Sequence, residues 1–415
     1  MENGELIPNL FRNEYRKIIS VLCKRFGFDQ IEIAEDIASE TFLTAAQVWG
    51  VNGPPENPTA WLYSVAKNKA KNHLQRDTTL RNKVIPELKK NSIESVEKEI
   101  DLSPQNIEDS QLQMMFAICH PSIPGEAQIG LSLRILCGFG IEEIADAFLT
   151  NKETINKRLF RAKEKLRSEN IKVEFPNPAE IDERLSAVLT TVYLLFNEGF
   201  YSTSRNKTLR KELSLEAIRL CSLLIENKNT DKPQVNALLS LMCFHTSRFE
   251  ARQNEEGEPI LYEEQDTNLW NSEWIRKGEF FLHRAARGDE ISKYHLEAGI
   301  AYWHTQKEDT DKKWKNILQL YDHLLTIESS SVILLNRIFA FSKTNGKEEG
   351  IQEAEKLKLT DNRYYFLLLG DLYADLDQRK SELNFKNALS LSKTQNEKNS
   401  IQKRIDRLRD TEINT

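Results

Sequence analysis

Only 5 of the 415 residues are cysteine, and Cys23, Cys119, Cys137, Cys221 and Cys243 are widely scattered, odd in number and without a C-x-x-C pair. That spacing excludes a disulfide framework and a thiolate metal cage, and it predicts reduced thiols in a cytoplasmic protein. A Gly-rich phosphate loop is also missing; the one glycine of NEGF, Asn197 to Phe200, reads as a turn or helix end, and Asn197 and Glu198 are assigned no catalytic role. Cys243 and His245, and the histidines at 283, 295 and 304, have no ligand spacing, so no metal, cofactor or catalytic residue is expected. No stretch approaches the roughly 20 apolar residues of a membrane span, and MENGELIPNLFRNEY lacks the cationic start and apolar core of a signal peptide. Net positive charge is lacking too: at −6 the chain does not coat nucleic acid indiscriminately, and any DNA contact must come from local basic patches.

One such patch lies in FGIEEIADAFLTNKETINKRLFRAKEKLR, Phe139 to Arg167. Ile141, Ile144, Ala145, Phe148 and Leu149 fall on one helical face, with Glu142, Glu143 and Asp146 left for water. Thr150 and Glu153 read as a capping box that starts a second helix. Along it Ile155, Leu159, Ala162 and Leu166 form the apolar stripe; Lys157 and Arg161 project the other way, and Lys152, Arg158, Lys163, Lys165 and Arg167 fill the flanks. Two helices joined by a tight turn, the second one cationic, is the helix-turn-helix arrangement, whose second helix enters the major groove. A solvated charged helix in any α-helical protein shares the pattern.

The whole chain is predicted all-α, with no convincing strand alternation. Phe11 to Phe26, Gln30 to Trp49 and Thr59 to Arg76 read as helices of an N-terminal domain over 1–77, with GVNGPPENP, Gly50 to Pro58, as a loop. The polar stretch 78–109 reads as a linker, and 110–172 as a second small helical domain. Pro176 and Pro178 mark a boundary, after which 181–288 reads as a helical extension and 289–411 as helical repeats. In LLLGDLYADLDQRKSELNFKNALSLS, Leu369-Gly370 and Tyr373 stand at tetratricopeptide spacing, and Leu383, Ala388 and Leu391 fit the second helix of such a repeat if the turn between the helices is one residue short. Stacked hairpins of this kind leave a concave surface for a peptide or protein; an irregular α-bundle is the alternative.

In AWLYSVAKNKAKNHLQR cations and aromatics share one helix, which suits partly opened DNA, although Trp61 and Tyr63 are also natural core or boundary residues. Upstream, Glu32, Glu35, Asp36 and Glu40 make a helix that repels DNA and suits a basic protein partner.

These residues resemble a known family. AEDIASETF, with Glu35, Asp36, Glu40 and Phe42, resembles the region-two motif of the extracytoplasmic-function sigma factors, small sigma-70-type initiation subunits of bacterial RNA polymerase; Ser39 stands where glutamine is usual. NPTAWLYSVAKNKAKNHLQR is similar to the segment that melts and reads the −10 element: Asn57, Pro58, Ala60, Trp61, Leu62, Val65, Ala66 and Asn68 match, while Lys67 and Lys69 replace arginines and Asn72 an aspartate. Lysine keeps the charge and loses the bidentate fork. The segment His120 to Arg167 is similar to region four, whose second helix reads the −35 element.

The resemblance implies a non-enzymatic initiation factor with core RNA polymerase and promoter DNA as partners. It implies polymerase contacts from Glu35, Asp36, Ser39 and Glu40, −10 contacts from Asn57, Trp61, Lys67, Asn68, Lys69, Lys71 and Asn72, and −35 contacts from Lys152, Asn156, Lys157, Arg158, Arg161 and Lys165. TTVYLLFNEGFYSTS and the segments after it look like the long extension of one subgroup, and that resemblance implies that the extension regulates in place of a membrane anti-sigma factor; the repeat surface is expected to take a regulatory protein or peptide. A helix-turn-helix regulator with a peptide-sensing repeat domain shares every feature except the acidic helix and the region-two-like segment.

Overall fold

A computed structural model describes residues 3–84, 100–201, 207–252, 254, 260–392 and 394–413. Among them the chain is all-α, and it divides into two compact units, Met1–Thr230 and Asp231–Thr415.

The first unit is built around α1 (Asn3–Phe26), whose Tyr15, Ile18, Ile19 and Leu22 are wholly buried. Each such side chain contributes about 1.5–3 kcal/mol of burial. Against it pack α2 (Ile31–Asn52), α3 (Pro58–Val84) and α4 (Pro104–Ile118). Ser103 caps α4 by accepting from the Asn106 amide, and Pro104 takes the first turn, where its missing N–H costs nothing. Next come α5 (Gly125–Leu131), which runs into a π-helical turn at Ser132–Leu136, then α6 (Ile141–Ala147) and α7 (Lys152–Ser168). Gly138 turns the chain at φ 76°, and a Cβ there would lie 3.0 Å from the Arg12 carbonyl oxygen of α1. Only glycine lets the two backbones meet so closely. Completing the unit are α8 (Ile181–Tyr201) and α9 (Lys207–Glu226).

In the second unit α10 (Pro233–Ser247) is buried along most of its length and packs on α11 (Ser272–Ala285). Three helical hairpins follow: α12 (Lys293–Trp303) with α13 (Asp311–Ile327), α14 (Ser331–Asn345) with α15 (Lys347–Leu357), and α16 (Arg363–Tyr373) with α17 (Gln378–Ser390). The last helix, α18 (Gln395–Ile413), packs on α17 with Ile401 and Ile405. Gly370 brings α16 against α17: a Cβ there would stand 2.5 Å from the Phe385 ring. At the first hairpin the Lys313 ammonium is buried, donating to Tyr262 Oη at 2.8 Å and to the Gln306 carbonyl at 2.9 Å. The His304 ring meets Tyr262 and Trp314 edge-on. Burial, with Arg248 and Lys313 nearby, pushes the His304 pKa down to about 3.

Several expectations need correction. The stretch 78–109 is not all linker, because α3 runs to Val84 and α4 begins at Pro104; residues 85–99 of it lie outside the described residues. Helix α2 continues through Gly50 to Asn52, and the turn is made by Gly53 at φ 76°. Pro176 and Pro178 break helix without ending the unit, since α8 and α9 belong with the first 180 residues. Thr150 is not the cap of α7: Asn151 accepts from the Thr154 amide at 2.8 Å, while the Glu153 carboxylate pairs with Lys157. Leu149 is exposed because the chain turns there at φ 49°. In α17 Leu383 is exposed and Ser381, Phe385 and Ala388 face inward.

Candidate nucleic-acid interface

The sequence predicts the buried stripe of α7, and Ile155, Leu159, Ala162 and Leu166 are indeed buried. At 100° per residue the opposite face falls near Lys157, Phe160 and Arg161, and all three are exposed, Lys157 by 65% and Phe160 by 62%. Lys152 and Asn156 are exposed at the first turn. Most of the cations carry intramolecular partners: Lys152 with Glu142, Lys157 with Glu153 at 2.6 Å, Arg158 with Glu126 at 2.7 Å, and Lys165 with Glu169 at 2.5 Å. Arg158 also lies 5.2 Å over the Phe148 ring and is half-buried. Arg161 forms no ion pair among the described residues. Phe160 is not among the residues the sequence singles out, although its position off the apolar stripe marks it as an exposed ring.

The other flank of α7 faces α2. Lys163 Nζ lies 2.5 Å from Glu35, Arg134 Nε 3.4 Å from the same carboxylate, and Arg167 2.6 Å from Glu32. Glu35 and Lys163 keep only 15% and 12% of their side-chain exposure. Arg134 also donates to Tyr15 Oη at 3.2 Å, and burial lifts the Tyr15 pKa to about 12. Asp36, Ser39 and Glu40 remain exposed and line up with Leu43, itself 59% exposed, at i, i+3, i+4 and i+7. An exposed acidic stripe with an apolar residue in line suits a basic protein surface.

On α3 the expected residues divide. Asn57 accepts from the Ala60 amide at 3.0 Å and so works as a helix cap. Trp61 is half-buried edge-on to Trp49, with centroids 5.2 Å apart. Lys67 is half-buried, and Lys69 pairs with Glu40 at 3.0 Å. Asn68, Lys71 and Asn72 are exposed together on one face. Tyr63 donates to Glu14 at 2.5 Å, and burial, then that contact, raises its pKa.

Among the described residues no group of metal-capable side chains gathers, and no helix is long and apolar enough to cross a membrane.

Residues 10–80, which lie within the span of α1 to α3, match sigma-70 region 2. The chain is 30% identical to the RNA polymerase sigma-H factor of Pseudomonas aeruginosa over 158 residues, which cover 36% of this chain and 79% of that protein. The chain belongs to the sigma-70 family. An uncharacterised protein of Rhizobium meliloti is 31% identical over 387 residues, covering 92% of this chain and 91% of its own, so the similarity runs well beyond the region 2 match. Residues 184–286 match a family of unknown function, DUF6596, whose span begins in α8 and ends just after α11. No solved structure matches. Within this sigma-70 family member, region 2 thus carries both the acidic stripe of α2 and the polar face of α3.

Proposed function

We propose that the chain is an alternative sigma factor of the extracytoplasmic-function group, a cytoplasmic protein that brings core RNA polymerase to specific promoters. The carrying observation is the region 2 match over α1 to α3, whose second helix presents Asp36, Ser39 and Glu40 to solvent in line with Leu43. That stripe is the polymerase contact. Glu35 belongs to the same helix but is held by Arg134 and Lys163. The exposed Asn68, Lys71 and Asn72, with Trp61, Lys67 and Lys69 at their edge, meet the opened −10 element, and Asn57 sets the start of that helix.

Helix α7 reads the −35 element. Lys157 and Arg161 supply cations for phosphate or guanine, Asn156 suits adenine, and the exposed Phe160 ring suits a thymine methyl. Lys152, Arg158 and Lys165 act at the rim, where they exchange their present carboxylates for phosphate. The helices from α8 onward form a regulatory extension in place of a separate anti-sigma factor. Its hairpins α12 to α17 stack as tetratricopeptide-like repeats that take a regulatory protein or peptide.

Transcription from a promoter library with purified core polymerase tests this reading. Initiation at a defined set of promoters, dependent on this protein, is expected. A helix-turn-helix regulator would bind DNA without polymerase and initiate nowhere.

A further inference from the structure

A ladder of charge crosses the first unit. On α1, Arg12 and Arg16 stand one turn apart and face Glu212 and Glu216, one turn apart on α9, each at 2.5 Å. The Arg16 and Glu216 side chains are 8% and 15% exposed, so this is an interior contact and not a rim pair. Arg12 reaches in addition to Glu143 of α6 at 2.7 Å. From α9 itself, Arg219 holds Glu216 at 2.8 Å and donates to the Leu136 carbonyl, at the end of the π-helical turn, at 2.6 Å. From α8, Arg184 donates to the Phe116 carbonyl of α4 at 2.6 Å, and Thr191 to Gln128 of α5 at 2.7 Å. Helices α8 and α9 therefore grip the region 2 helix α1 on one side and the helix-turn-helix part on the other.

That arrangement conflicts with promoter reading. A compact unit of this length has a radius of gyration of roughly 17 Å, hence a diameter of about 45 Å. DNA rises about 3.4 Å per base pair, so elements centred at −10 and −35 lie roughly 85 Å apart. Helices α3 and α7, both inside the unit, cannot reach both elements while it is closed. The carboxylates of Glu32 and Glu35 are also occupied by Arg167, Arg134 and Lys163.

We propose that α8 and α9 are a strap that holds the region 2 part and the helix-turn-helix part closed on one another, and that a basic polymerase surface opens the unit by taking over the carboxylates of α2. The inference rests on the sigma-factor reading above. It assigns the first two helices of the extension a direct intramolecular role, through named contacts, without an outside inhibitor.

A reversible lock tests it on the full chain. Lys24 of α1 donates to Asn106 of α4 at 3.0 Å, so Lys24→Cys with Asn106→Cys can be bridged by a short bis-maleimide that carries a reducible disulfide. All five native cysteines are buried, which directs the reagent to the introduced pair. Promoter-directed initiation with core polymerase is then measured before bridging, after bridging and after reduction. The parallel variant Glu212→Gln with Glu216→Gln weakens the strap without reversing charge. The bridged protein is expected to initiate at least roughly tenfold more slowly and to recover on reduction, whereas the strap variant initiates several-fold faster at limiting polymerase, as a shifted closed-to-open equilibrium requires. Equal rates for bridged and reduced protein overturn the inference, as does a folded strap variant that matches the parent. Failure of the unbridged parent to initiate with any promoter would instead remove the sigma-factor reading beneath it.

Discussion

Lys163 Nζ of α7 lies 2.5 Å from Glu35 Oε2 of α2, a contact that joins the helix proposed to read DNA to the helix proposed to meet polymerase across 128 residues of sequence. Its neighbour Asp36 points to solvent instead. Adjacent carboxylates on one helix thus do different work: Glu35 holds the unit together, and Asp36 is free for a partner.

Asp36→Arg is therefore expected to weaken association with core polymerase, by like-charge repulsion worth up to several kcal/mol, with hydrogen exchange of α1 to α3 unchanged. Glu35→Gln should do the reverse in kind: it leaves Lys163 and Arg134 without a carboxylate and lowers the stability of the first unit by about 1–3 kcal/mol. Polymerase binding and amide exchange, measured side by side, separate the two. Equal polymerase binding by Asp36→Arg and the parent rejects the first assignment.

Lys157→Glu with Arg161→Glu should weaken binding to DNA carrying the −35 element and spare polymerase association, because both side chains face away from the buried stripe. Each lost phosphate contact lowers the salt slope of binding by about one. Titrations at several salt concentrations give that slope directly. A double variant with the parent's affinity and slope contradicts the placement of DNA on this face.

Much of this was legible in the sequence, and the rest had no local signal. The stripe Ile155, Leu159, Ala162 and Leu166 follows from helical periodicity, which is set by neighbours three and four residues away. The exposed places of Lys157 and Arg161 follow from the same geometry. Lys163 and Arg167 looked equivalent to the other flanking cations, since nothing within a few residues encodes a pairing with Glu35 and Glu32. Asn151 displaced Thr150 as the cap because the chain passes through Leu149 at φ 49° before the helix begins, a tertiary turn that propensity does not carry. Pro176 and Pro178 gave a true end of helix but a false end of packing: Thr191 and Arg184 lie beyond them and bond back to Gln128 and Phe116.

The same contacts set a truncation outcome. A fragment ending at Thr230 keeps α8 and α9, whereas one ending at Asn177 uncovers the faces of α4, α5 and α1 that they cover. The shorter fragment should show a lower urea midpoint than the longer one, or fail to fold cooperatively. Matching midpoints would mean that the two helices add nothing to the unit.

Stability of the second unit should fall with acid. The folded His304 pKa, near 3, lies below the ordinary value of 6.5, so between those pH values the unfolded chain binds a proton that the folded chain refuses. Stability contributed by the neutral ring is complete above pH 6.5 and is lost as pH falls toward 3, with about 2 kcal/mol gone by pH 5. His245, whose pKa burial also drives well down, adds to the same slope. His304→Gln should flatten the dependence of the urea midpoint between pH 6.5 and 5; an unchanged slope rejects the assignment.

Site-specific cross-linking within an initiation complex tests the central claim most directly. Phe160 and Asn72 are each replaced, in separate full-length chains, by a photoreactive phenylalanine, and the cross-links are mapped on a promoter selected with core polymerase. The expected result is that position 72 marks the −10 element and position 160 the −35 element of the same promoter, both only when polymerase is present. Cross-links from both positions at a single DNA site, or from position 160 alone and without any need for polymerase, would contradict it.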